Sequence, residues 1–232
     1  MARTSASSRL RSLANPKRAR DLLWFFKTKP GQYGHGDKFL GLTMPQVREL
    51  AREYRDIPLA EVERLLESPW HESRTLALAI LVWQYEHANG VGRQRIYKLY
   101  LRRTDRINNW DLVDISAPRI VGAHLFAKRR GILMRLARSP NVWERRIAIV
   151  STQYIIARDD FAPTFSLVRL LIDDRHDLIH KAMGWMLREV GKRDVRALRR
   201  FLDEYAPRLP RTTLRYSLER LSPRVRARYM AM

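Results

Sequence analysis

A helical phrase recurs along the chain, and its period constrains the fold more than any other feature. LLESPWHESRTLALAIL (65–81) is answered by LARSPNVWERRIAIV (136–150): in each a short helix ends, Ser-Pro opens a new one, and Trp, Glu, Arg and an apolar run follow. LIDDRHDLIHKAMGWML (171–187) is a looser copy, and TDRINNWDLVDISAPRIVG (104–122) lies between the first two. Helix starts near 69, 109, 140 and 176 give a period of roughly 35–40 residues with two helices in each repeat. A unit of that size cannot bury its apolar face alone and must stack on its neighbours.

The fold class expected is therefore all-α: a right-handed superhelical solenoid of stacked antiparallel helix pairs, of the size of HEAT-like repeats, with a concave basic groove. The apolar spacing predicts helices over 15–27, 44–55, 59–67, 69–88, 91–103, 109–126, 129–138, 140–157, 161–173, 176–190, 193–204, 210–221 and 223–229. Ser68-Pro69, Ser139-Pro140 and Ser222-Pro223 each offer a hydroxyl cap before a proline at the first helical position. Thr43-Met44-Pro45 offers a similar start with the proline one place later. Residues 28–42, KPGQYGHGDKFLGLT, form the one Gly-rich loop. Residues 1–12, free of acids and rich in Ser and Arg, are expected to be a flexible basic tail, and 13–232 a single helical domain.

Charge narrows the partner. The 232 residues carry 45 Lys+Arg against 24 Asp+Glu, a net +21. Residues 1–30 contribute +7 and residues 193–232 another +7, so two thirds of the excess sits in the two ends. A polyanion, DNA or RNA, is the natural partner of such a chain. Cysteine is absent, which excludes disulfides, thiolate metal sites and cysteine nucleophiles together. No apolar run is long enough to span a membrane.

Four groups of residues could carry chemistry. In NNWDLVD (108–114) an Asn caps the helix, and Trp110 and Asp114, spaced i, i+4, share one face. Asp111 near the helix start reads as support for the cap. Asp114, one turn inside, stands where an apolar seam would be expected and is a functional candidate. Arg145 and Arg146 in VWERR (142–146) diverge by about 100° on a helix; they fit a phosphate clamp or a structural salt bridge, while Trp143 reads as core. In KAMGWMLRE (181–189), Gly184 in mid-helix suggests close approach of another helix or a ligand, and Trp185 is either core or a groove aromatic beside Arg188. His176 and His180 are spaced for a metal, but no third ligand accompanies them. Gly34-His35-Gly36-Asp37 lacks the Gly-Lys-Ser/Thr of a phosphate loop, and no serine nucleophile elbow is present.

Taken together, FFKTKPGQYGHGDKFLGLTMPQVREL (25–50), NNWDLVDISAPRIVG (108–122), SPNVWERRIAIV (139–150) and HKAMGWMLREVGK (180–192) resemble the AlkD family of DNA alkylation-repair glycosylases. The resemblance runs from about residue 15 to 220 in family order. It implies hydrolysis of the N-glycosidic bond of N3- and N7-alkylated purines in duplex DNA, without cofactor or metal, by a cytoplasmic, nucleoid-associated monomer. It further implies that Asp114 is the catalytic carboxylate, that Trp110 and Trp185 are the cleft tryptophans and that Arg146 contacts DNA. Tyr33 is a looser match to a further cleft aromatic, and Arg145 and Arg188 are the neighbouring candidates for phosphate. The competing class is a non-catalytic helical-repeat module binding DNA or RNA. It explains the charge and the repeats but gives no reason for an acid at Asp114, which would repel phosphate.

Overall fold

The computed structural model describes residues 4–232. Among the described residues the regular structure is helical, apart from one isolated bridge between Lys38 and Trp70. The expected helices are all present, with shifts at their ends. The chain divides into two compact units: the first ends at Ser116 and the second runs from Ala117 to Met232.

The first unit is organised around helix His71–His87, of whose 17 residues 12 are buried. Helices Met44–Glu53 and Leu59–Leu66 pack on it and bury Val47, Leu50, Val62, Leu65 and Leu66. Each fully buried aliphatic side chain of this kind contributes about 1.5–3 kcal/mol. Thr43 and Gln46 close a reciprocal capping box at the start of Met44–Glu53. Helix Pro16–Phe25, by contrast, buries no residue. It ends in a Schellman turn: Lys27 N–H donates to Trp24 O and Thr28 N–H to Leu23 O, both at 3.2 Å. Lys27 sits there at φ 52°, a left-handed position where glycine would be the unstrained choice.

Residues 1–12 were expected as a tail. Of these, Ala6–Ser12 form a helix capped by Ser5, with Leu10 only 1% exposed. The Tyr54 hydroxyl also donates to Thr4 O at 2.8 Å. Ala6 and Leu10 are its only apolar anchors, one turn apart and too few to register as a period.

The second unit is organised around helix Asp177–Arg193, packed on Arg211–Ser217, Val195–Tyr205 and Val142–Val150. Gly184 is what lets the first of these pairs close. A Cβ at that position would meet Tyr216 Cβ at 2.5 Å and Thr213 O at 2.6 Å, so the mid-helix glycine answers to a neighbouring helix. On helix Val195–Tyr205, Ala197, Leu198, Phe201 and Leu202 are buried, and Arg196, Arg199 and Arg200 are exposed. These three charges of the C-terminal end thus face solvent.

Three boundaries differ from expectation for local reasons. After Ser68-Pro69 and Ser139-Pro140 the helices begin two residues late, at His71 and Val142. The serine hydroxyls accept from the amides of Trp70 and Asn141, which makes each pair a tight turn. Of the three, only Ser222-Pro223 opens its helix at the proline, and there the Ser222 hydroxyl makes no capping hydrogen bond. The helix expected over 109–126 becomes π-helical over Pro118–Gly122, because proline lacks the N–H and crowds the carbonyl four residues back.

Candidate functional site

The first unit contains a pocket of about 330 Å³ whose lining includes Phe25, Phe26, Phe39, His71, Trp110, Asp111 and Asp114. Its aromatic wall is a sequence of ring contacts. Trp110 stacks on Phe26 at 5.6 Å, Phe26 on Phe39 at 5.0 Å, and Phe39 on His71 at 4.8 Å. The spacing i, i+4 does bring Trp110 and Asp114 to the same pocket, as expected. Both are half-buried. The charge of Asp114 also reaches the fully buried Tyr100 phenol: burial drives that group well above its ordinary pKa, the hydrogen bond to Ser116 opposes this, and Asp114 adds to the rise.

Beneath the pocket lies a charged network that sequence reading did not find. His71 Nδ1–H donates to Asp37 Oδ2 at 3.2 Å and Nε2–H to Asp111 Oδ2 at 2.8 Å. Arg74 pairs with the other Asp37 oxygen at 2.5 Å, and Asn109 Nδ2 donates to Asp37 Oδ2 at 3.0 Å. Burial alone would lower the His71 pKa, but Asp111 and then Asp37 outweigh it and raise it to about 9. His71 is therefore an imidazolium at neutral pH. Burial raises Asp37, but His71 and Arg74 more than offset this and hold it below the usual carboxylate range. Asp111, expected to support the helix cap, instead anchors His71; the Trp110 amide is held by Asn109 Oδ1 at 2.9 Å.

The Gly-rich loop is fixed over this network by one side chain. Glu72, only 4% exposed, accepts from the amides of Leu40, Gly41 and Leu42 at 2.9, 2.7 and 3.3 Å. Gly41 stands at φ 89°, and a Cβ there would meet Asn15 O at 2.1 Å. The loop thus brings Phe39 to the pocket wall and Asp37 to His71 beneath it. Tyr33, on the same loop, is half-buried and does not line this pocket.

The candidates of the second unit stand within a scaffold of their own. Arg145 engages all three of its guanidinium nitrogens: Nε with Asp174 Oδ2 at 2.6 Å, Nη2 with Asp174 Oδ1 at 3.5 Å, and Nη1 with the carbonyls of Ser139 and Pro140. Arg145 thus makes the structural salt bridge, one of the two roles its spacing allows. Arg146 is 5% exposed and donates to Leu178 O at 2.6 Å. Trp185 is half-buried and donates its indole N–H to Glu189 Oε1 at 3.0 Å. Arg188 pairs with Glu219. Trp143 is core, as expected. His176 caps its helix by accepting the Leu178 amide, and His180 bonds to Asp174 O. Among the described residues no group of three or more His, Asp or Glu is arranged to hold a metal.

With this geometry in hand, comparison with known proteins decides the family. The family of DNA alkylation repair enzymes matches residues 6–221. The chain belongs to that family. No curated protein matches it. A solved structure described as a predicted DNA alkylation repair enzyme from Enterococcus faecalis superposes with a TM-score of 0.69 at 17% identity. The likeness covers 90% of this chain and 97% of that one, and it establishes a shared fold. As a DNA alkylation repair enzyme the chain acts on DNA, which accords with its +21 charge. Among the described residues no helix is long and apolar enough to cross a membrane.

Proposed function

We propose that this DNA alkylation repair enzyme is a monofunctional glycosylase that hydrolyses the N-glycosidic bond of cationic N3- and N7-alkylated purines in duplex DNA. The observation that carries the reading is the pairing of the Asp114 carboxylate with the Trp110 ring in one aromatic pocket. An alkylated purine of this kind already bears positive charge and leaves without protonation. As the C1′–N bond breaks, its electron pair neutralises the base and the sugar becomes oxocarbenium-like. A fixed carboxylate stabilises that sugar and orients the water that adds to C1′. Trp110 offers a π face to the same cation. Trp185 and Arg146 complete the set that the family resemblance implies, Trp185 as the second aromatic and Arg146 as a phosphate contact. Arg188 is a further candidate for phosphate. The pocket lining contains no lysine, so no Schiff base forms there and the strand stays intact after base release.

The test is release of N7-methylguanine or N3-methyladenine from methylated duplex by wild type and Asp114→Asn. Loss of about 2–4 kcal/mol of transition-state stabilisation is expected, with duplex binding equal or tighter because a negative charge facing phosphate has gone. Uracil, uncharged, is not released even by wild type. Full activity in Asp114→Asn overturns the reading, as does a variant that is simply unfolded.

A further inference from the structure

A second hollow of the first unit adjoins the pocket just described. Its volume is about 580 Å³, and Arg20, Trp24, Phe25, Lys27, Lys29 and Gln32 stand in its wall. Phe25 lines both hollows and meets Trp110 edge-on at 6.0 Å. Trp24 is 81% exposed and Phe25 52%. An aromatic pair left in water on a helix that buries nothing is the kind of exposed apolar surface that marks a binding site. Three cations and no acid line it.

Lys27 sharpens the chemistry. It occupies the left-handed position at the helix end, φ 52°, where glycine is the unstrained residue. A positive charge therefore stands beside Trp24 at a conformational cost to the fold.

We propose that this hollow binds one unstacked nucleotide of the DNA, its base on the Trp24 indole and its phosphates on Lys27 and Lys29. A ring face accepts any base, and ammonium groups hold phosphate whatever the sequence. That combination is how unpaired nucleic acid is bound without sequence preference. Shared Phe25 puts the nucleotide next to the proposed bond-breaking site. This deepens the glycosylase reading and rests on DNA being the substrate. A lipid surface would also be met by cations and aromatics, but a concave hollow adjoining the pocket favours a nucleotide.

The experiment compares binding to an unmodified duplex and to the same duplex with one extra unpaired nucleotide. Wild type is expected to prefer the bulged duplex by about tenfold or more. Trp24→Ala removes the preference and leaves continuous-duplex affinity and melting temperature unchanged, while Trp24→Phe keeps most of it. Lys27→Gly weakens bulged-duplex binding and raises the melting temperature. The proposal is overturned if wild type shows no preference or if Trp24→Ala weakens both duplexes equally. It is also overturned if the preference survives Trp24→Ala while binding to anionic phospholipid vesicles, or self-association in sedimentation, is lost. Base release is scored separately: a wild type that prefers the bulge but releases no methylated purine keeps this hollow and overturns the glycosylase reading.

Discussion

Ser68-Pro69 in the first unit and Ser139-Pro140 in the second make the same turn. In each, the serine hydroxyl accepts the amide two residues on, and an arginine six residues on donates back to the serine carbonyl, Arg74 at 3.1 Å and Arg145 at 3.0 Å. Each arginine then grips an aspartate, Asp37 or Asp174. From there the two diverge. Asp174 accepts the His176 amide at 2.8 Å and completes a local turn. Asp37 passes on to His71 and so to Asp111. The residues that open the helices differ to match: His71 and Glu72 in the first, Val142 and Trp143 in the second. A repeated frame needs only a polar residue at its first helical positions to turn a structural ion pair into the floor of a pocket.

The strongest way to break this comparison is Arg74→Ala. It leaves Asp37 buried without its guanidinium, both side chains being at most 5% exposed, and should cost about 3–5 kcal/mol in urea unfolding. A loss below about 1 kcal/mol would mean that the first-unit pair is no deeper than a surface one.

Next comes pH. The His71 pKa is raised from 6.5 to about 9, so its contribution is complete below pH 6.5 and drains away as pH climbs through 9. Roughly 3 kcal/mol is at stake. Asp37, held low, acts in the opposite sense: its contribution is present above its ordinary pKa and disappears in acid as it protonates. Melting temperature should fall from pH 6.5 to 9 in wild type and stay flatter in His71→Gln. A wild type that is flat over that interval would separate His71 from the network.

Arg145→Ala sharpens the same contrast from the other side. Its pair is more exposed on the arginine side, 18% against 3% for Arg74, and about 2–3 kcal/mol is expected. Equal losses in the two arginine variants would erase the difference between the units. The smallest effect lies at the edge of the first unit, where Leu10→Ala should cost about 2 kcal/mol. An unchanged melting temperature there would return residues 6–12 to the status of a loose tail.

The helices were legible because their apolar residues repeat at helical spacing, and Trp110 with Asp114 was legible because both lie on one helix. His71, Asp37 and Asp111 were not, since they meet across 34 and 40 residues of chain and no periodicity links them. One signal was available: His, Glu and Arg open the apolar run HESRTLALAIL, and charges entering a buried helix need partners. Arg145 and Arg146 carried the opposite lesson. Their spacing fits a clamp and a scaffold equally well, and only the position of Asp174 and Leu178 decides what each holds.

Glu72 gives the Gly-rich loop an unusual signature in time. The amides of Leu40, Gly41 and Leu42 belong to no helix or sheet, yet all three are bonded to one buried carboxylate. In heavy water they should exchange their hydrogens as slowly as a core helix does. They should also exchange together, because a single departure of the Glu72 side chain uncovers all three at once.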